Sequence, residues 1–173
     1  MKIIQSFWSK PSLYSTDDKN ARYNGGWLSK KYAFYSYALS AMTIKKYYNN
    51  LELYTDDVGF NLFNNILQLP YNKIHISLNT LNSYNPKLWA IGKITACSIQ
   101  EEPFIHIDND IFLWEKINYK IANYDLITQN LEIDYPNYSS AFNFINKKFR
   151  SIPNEITTSI NHNKKIIDIS TSW

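Results

Sequence analysis

Asp108 and Asp110 stand two residues apart, with Asn109 between them, directly after the apolar run Phe104-Ile105-His106-Ile107. Two carboxylates at this spacing, straddling a tight bend, can converge on one hard cation and leave positions open for phosphate oxygens and water. All-oxygen donors of this kind suit Mg2+ or Mn2+. A cation so held would act as a Lewis acid on a phosphate-bearing group. An Asp-x-Asp pair alone is a weak signal, because ordinary turns with solvated carboxylates produce it often. Here the pair leaves a buried strand instead of a polar hairpin, and that context favours the cation site.

The elements that must position this pair follow from the hydrophobic pattern. Lys2 to Phe7 reads as a short buried strand. Residues 8–27 show no convincing period, and a connection of that length is usually functional or mobile. From Ser29 to Tyr48, apolar residues recur at Phe34, Tyr37, Ala38, Ala41, Ile44 and Tyr48, the stripe of an amphipathic helix. Leu51 to Thr55 is a second strand closing on Asp56-Asp57, carboxylates that suit the positive end of the next helix. Val58, Leu62, Phe63, Ile66 and Leu67 give that helix its expected buried face, and Pro70 its stop. Lys73 to Ser77 makes a third strand, and Pro86 opens a helix from Lys87 to Gln100, apolar over most of its circumference. The strand ending at Ile107 is expected at the centre of the sheet, Tyr124 to Thr128 as a fifth strand, a helix through Phe142, Ile145 and Phe149, and a last strand at Ile166 to Ile169. Strand and helix alternate from the N-terminus, which indicates an α/β fold with a mainly parallel sheet and Rossmann-like crossovers.

Composition narrows the function classes. The chain has 173 residues, enough for one buried core, and its 45% hydrophobic and 19% charged residues are those of a globular protein. The net charge of +3 arises from 18 basic and 15 acidic residues scattered along the chain, with no long Lys or Arg run, so neither a nucleic-acid nor a membrane patch is indicated. The single Cys97 excludes an internal disulfide framework and, in an apolar helical stretch, reads as a small buried residue. The N-terminus is too short and polar for a signal h-region, and no apolar run approaches the ~18–20 residues of a transmembrane segment. A cytoplasmic protein is expected, with a peripheral place at the inner membrane face as the alternative. His106 and His75, each inside a strand, read as hydrogen-bonded core residues, and His162 as exposed.

The segment Pro103-Phe104-Ile105-His106-Ile107-Asp108-Asn109-Asp110-Ile111-Phe112-Leu113-Trp114 resembles the DXD segment of bacterial glycosyltransferase-like proteins with a GT-A fold. Four further stretches match that family in the right order over roughly residues 1 to 135: Phe7-Trp8-Ser9-Lys10-Pro11, Leu53-Tyr54-Thr55-Asp56-Asp57-Val58-Gly59, Leu88-Trp89-Ala90-Ile91-Gly92-Lys93-Ile94 and Asp125-Leu126-Ile127-Thr128-Gln129-Asn130. The resemblance implies a GT-A-like three-layer sandwich binding a nucleotide-diphosphate sugar, with Mn2+ or Mg2+ as cofactor. It implies that Asp110 is the principal metal ligand, and that Asp108 contacts the ribose or shares the metal through water. By the same resemblance Trp8 and Tyr54 frame the nucleotide base, Asp56 accepts a hydrogen bond from base or ribose, and Lys93 meets the diphosphate or sugar. Trp89, on the helix leading to the DXD segment, is a donor-binding candidate too. Core packing is an equal alternative for Trp8, Tyr54 and Trp89, a helix start for Asp56, and a solvated surface charge for Lys93. Family members often draw a further metal ligand from beyond the sheet, frequently a His, and His162 is the candidate.

The departure from the family is length. Its members continue into an acceptor-binding half with a Gly-containing segment, whereas all four Gly here lie before residue 93. Residues 1–135 are therefore expected to form the donor-binding core, and 136–173 a short extension of the same domain, a truncated acceptor region. No catalytic base or nucleophile is assigned, and activity toward a carbohydrate or glycoconjugate acceptor is expected to be weak. Two other readings stand beside the transferase: a non-catalytic nucleotide-sugar-binding remnant, and a metal-dependent phosphoryl hydrolase. The hydrolase ranks last, because it needs a carboxylate at the end of the first strand and Phe7-Trp8-Ser9 offers none.

Overall fold

In the computed structural model, which describes residues 1–13, 26–118, 132–133, 136–152, 154 and 167–168, the chain divides into two compact units, Met1–Ile117 and Asn118–Trp173. The first unit is built on four strands, β1 (Lys2–Phe7), β2 (Leu51–Thr55), β3 (Lys73–Ile76) and β4 (Phe104–His106). They form one sheet in the order β3-β2-β1-β4, and every pairing is parallel. Parallel strands need crossover connections, and buried parallel strands need both faces covered. The alternation along β1 meets both demands. Ile3 packs with Ala41, Ile44 and Leu51 under helix α2 (Lys30–Tyr47), while Ile4 packs with Tyr54 and Ala96 under helix α4 (Ile91–Ser98). The result is a three-layer α/β sandwich of Rossmann type. Each fully buried Ile or Leu contributes roughly 1.5–3 kcal/mol to it.

The connection after β1 opens with a short helix, α1 (Lys10–Leu13). The segment after β2 departs from the expected regular helix. Helix α3 (Asp57–Phe60) gives way to a π-helical turn over Asn61–Ile66. The wider i→i+5 spacing rotates the buried face relative to a 3.6-residue count. Gly59 and Phe63 are therefore buried, whereas Val58 and Ile66, expected inside, are exposed. The turn ends at Gln68 in the left-handed region (φ 50°), two residues before Pro70.

The expected helix from Lys87 to Gln100 is shortened to α4, preceded by a 3-10 turn over Leu78–Ser83 that the pattern did not reveal. It packs on one side only. Gly92 and Ala96 are buried, and Ile94 is exposed. The small residues let α4 approach closely, since a Cβ on Gly92 would lie 2.7 Å from the Trp8 Cβ. Among the described residues β4 is the outer strand beside β1, not the centre of the sheet, and its three residues are only partly buried. The expected strand at 124–128 lies outside the described residues. In the second unit, β5 (Glu132–Ile133) pairs antiparallel with β6 (Ile167–Asp168), and α5 spans Pro136–Lys148.

A polar cluster spans β1, β2 and β3. Glu52 Oε2 lies 2.9 Å from His75 Nε2 and 3.6 Å from Lys2 Nζ, and the His75 ring stacks on Tyr54 at 4.3 Å. Burial alone would raise the Glu52 carboxyl, but the His75 hydrogen bond, Lys2 and Tyr54 outweigh it and hold it below its ordinary value. A depressed carboxyl contributes stability that is present above its unfolded pKa of ~4.3 and is lost as pH falls through the folded value. Glu52→Gln should therefore cost about 1–2 kcal/mol at neutral pH, the size of a hydrogen bond to a charged group at a mostly buried site. Denaturant titrations of wild type and variant across the acid range should converge below that pKa. A gap that persists in acid would assign the effect to packing.

Candidate metal and donor site

The strand order places a topological switch point between β1 and β4. The chain crosses from β3 past β2 and β1 to reach β4, and helices α2 and α4 lie on opposite faces. The crevice beyond the carboxyl ends of two such strands is where open α/β sheets bind ligands. Asp108-Asn109-Asp110 forms its lip. Ile111 N–H donates to Asp108 O at 3.2 Å, closing a β-turn with Asn109 and Asp110 at its centre, and Ile107 N–H donates to Ile4 O at 3.0 Å. Asn109 Nδ2 then donates to Ser6 O at 2.8 Å, which pins the turn across the end of β1.

A buried polar chain supports the turn from behind. Gln5, fully buried, donates from Nε2 to Ser40 Oγ at 2.9 Å and to Asp108 O at 3.2 Å, and its Oε1 accepts from Tyr71 O–H at 2.6 Å. Ser40 Oγ donates to Ile111 O at 2.6 Å. Desolvated groups of this kind are costly unless every one is paired, so the chain fixes both ends of the turn. Sequence reasoning missed Gln5 and Ser40. The available signals were an amide inside an apolar strand and a hydroxyl on the apolar stripe of α2.

Three of the expected site residues come together. Lys93 Nζ, reaching from α4, lies 2.8 Å from both Asp108 oxygens. Asp110 sits nearby, and its carboxyl is raised by burial first and by the Asp108 charge second. The Tyr37 phenol is pushed up to about 12 by burial first and by the Asp110 charge second. His106 hydrogen-bonds Ser6 Oγ through Nε2 at 2.9 Å, with Nδ1 3.7 Å from Asp108 Oδ1. Burial above all lowers it to about 4, Asp108 opposing and Lys93 assisting, so His106 is neutral at neutral pH. Half-buried Cys97, one turn beyond Lys93, is raised mainly by burial and is a poor nucleophile.

The donor set fits a hard divalent cation. Its groups are oxygens, one carboxyl is held up by a neighbouring carboxylate, and Asn109 Oδ1 is a buried acceptor without a hydrogen-bond donor. Among the described residues no three His, Cys, Asp or Glu side chains converge, so most of the ligands would be water and phosphate oxygens. Asp110 and Asp108 would hold such an ion, Lys93 having to share Asp108. His162 lies outside the described residues.

Of the remaining expected donor residues, three make structural contacts and Trp89 lies on the surface. Asp56 is buried and caps α3, its Oδ1 accepting from Gly59 N–H at 2.8 Å. Its Oδ2 accepts from Ser9 N–H and Ser9 Oγ, each at 2.8 Å, so the carboxylate ties the exit of β1 to the start of α3. Tyr54 is buried against Ile4 and Ala96, its faces occupied by the core and by His75. Trp8 is buried with Leu78 and Leu81, its Nε1 lacking an acceptor, and Trp89 is exposed. Packing therefore accounts for Trp8 and Tyr54, and capping for Asp56. No helix among the described residues is long and apolar enough to cross a membrane. The model of a family of unknown function, DUF6734, matches residues 1–171. No curated protein and no solved structure matches the chain.

Proposed function

We propose, for a chain that belongs to the family of unknown function DUF6734, that it binds a nucleotide-diphosphate sugar with Mn2+ or Mg2+ and is a glycosyltransferase or the donor-binding portion of one. One observation carries the reading: a two-carboxylate turn at the carboxyl end of a parallel sheet, at the switch point between β1 and β4. The resemblance of residues 103–114 to a DXD segment supports the same substrate class. When bound, the metal would supply Lewis-acid neutralisation of the diphosphate. The chain's own residues do the rest. Asp108 and Asp110 hold the cation, and Lys93 adds positive charge beside it. Asn109, Gln5 and Ser40 keep the turn in one geometry. A phosphate entering between Lys93 and the cation would relieve the repulsion between those two positive charges.

The double contact of Lys93 with Asp108 also favours a second reading, a non-catalytic sugar-nucleotide binder. A lysine already serves there as counter-ion, so a nucleotide would bind without a metal. Calorimetric titration with several nucleotide sugars, with and without Mn2+, separates the two. The transferase reading expects Mn2+-dependent binding and acceptor-dependent release of nucleoside diphosphate. Metal-independent binding without turnover would establish the second reading, and no binding of any nucleotide sugar would defeat both.

A further inference from the structure

Helix α2 turns one face to the core and an unusual face outward. Its inner positions, Ala33, Ser36, Tyr37, Ser40, Ala41 and Ile44, are buried. Opposite them Tyr32, Tyr35, Leu39 and Met42 are exposed, at 51%, 59%, 42% and 61%. A solvent face of an ordinary amphipathic helix is polar, and a run of large apolar side chains there marks an interaction surface.

The charge on this helix is equally one-sided. It carries Lys30, Lys31, Lys45 and Lys46 and no acidic residue, so the rest of the chain, of total charge +3, is net −1. The sequence hides this concentration, because the lysines occur as two separate pairs and only the helix gathers them. Lys45 has a structural explanation, donating to Asn49 O and Asn72 Oδ1 at 2.7 and 2.6 Å, and both C-terminal lysines suit the helix dipole. Lys30 and Lys31 have none of the second kind. They sit at the positive end of the dipole, in a first turn without an acid and with no side-chain cap from Ser29, where a cation costs stability. Lys31 Nζ lies 5.7 Å from the exposed Tyr35 ring, which joins the charge to the apolar face.

We propose that the outer face of α2 docks the protein on an anionic lipid bilayer. The helix is about 27 Å long at 1.5 Å per residue, enough to lie along the headgroup layer. Tyr rings favour that layer, and lysines beside an apolar stripe are drawn to its negative charge. The inference does not depend on the metal site, since the α2 residues that meet the Asp108 turn, Ser40 and Tyr37, are buried on its inner face.

The test is co-flotation of the full chain with vesicles of phosphatidylcholine alone or mixed equally with phosphatidylglycerol. Wild type should float with the mixed vesicles only and be released by high salt. Lys30→Glu/Lys31→Glu should weaken partitioning by at least about 25-fold, about five-fold for each lysine lost with the added negative charge acting in the same direction, and Tyr35→Ser/Met42→Ser should weaken it at the low salt where wild type floats. The same glutamates complement the helix dipole, so the first variant should melt no lower than wild type. Failure of wild type to float, or equal flotation of both proteins, overturns the proposal. Sedimentation showing a dimer that Tyr35→Ser/Met42→Ser dissolves would assign the face to a second copy and overturn it as well.

Discussion

Asp110→Ala should abolish Mn2+-dependent nucleotide binding while leaving the protein folded. The Asp110 carboxyl is raised by burial first and by the charge of Asp108 second, so its ionised form opposes folding at neutral pH. Removing it should leave stability unchanged or slightly higher, the usual trade at sites built for function. The loss of binding should be large. Outer-shell partners of metal ligands already cost about 10–100-fold, so loss of the ligand itself should cost about 100-fold or more. Calorimetry in Mn2+ measures the first effect and thermal melting the second. Equal nucleotide affinity for the two proteins would remove Asp110 from the metal site, and a lowered melting temperature would make it a structural residue.

Gly59→Ala should unfold the first unit or come close to it. A Cβ at this position would lie 1.9 Å from Thr55 Oγ1 and 2.9 Å from Phe7 Cδ1. Neither neighbour can yield without cost. Thr55 is fully buried and donates to Phe7 O at 2.6 Å, and the Phe7 ring packs on Phe63 at 5.0 Å. Overpacking usually costs about 1–3 kcal/mol, occasionally more, and relieving this contact means turning the Thr55 hydroxyl away from Phe7 O or moving α3 off the sheet. A loss of at least about 3 kcal/mol in a urea titration is expected, a large part of the ~5–15 kcal/mol that holds a domain together. The Gly92→Ala clash with Trp8 Cβ at 2.7 Å should cost less, because α4 has one exposed side and can shift. If Gly59→Ala melted like wild type, the close approach of α3 to the sheet would be disproved.

The fold was legible wherever the apolar pattern is local and regular. β1, β2 and α2 lie within a residue of their expected limits, and the parallel α/β arrangement follows from the alternation they begin. The pattern misled where its period changed. The π-helical turn at Asn61–Ile66 broke the 3.6-residue count, and apolar Leu88, Trp89 and Ile94 suggested an enclosed helix where the structure leaves them on the surface. For the candidate site, the Asp108-Asp110 turn stood out because its carboxylates follow an apolar strand, whereas Lys93 was singled out only by the resemblance, and its contact with Asp108 depends on how α4 packs on the sheet. The fates of Trp8, Tyr54 and Asp56 were not. Each lies at a strand end, but whether a strand-end side chain meets ligand or core depends on the 3-10 turn, on His75 and on Ser9, none of which the local pattern reveals.

The pairing of β1 with β4 has a consequence for synthesis. Ser6 and His106, which meet across it, are 100 residues apart in the chain. A ribosome delivering about 5–20 residues per second releases β1, α2, β2 and β3 several seconds before β4 emerges. During that interval one side of β1, with Ile3, Ile4 and Phe7 among its six residues, is an unpaired edge, the kind of template that recruits strands from other nascent chains. Closing so long a loop costs about 4 kcal/mol in chain entropy, which local helices cannot repay. Asp108 reaches Lys93 only when that closure is made. The segment that carries the candidate chemistry is thus also the one that seals the growing sheet, and a chain stalled before residue 107 has neither.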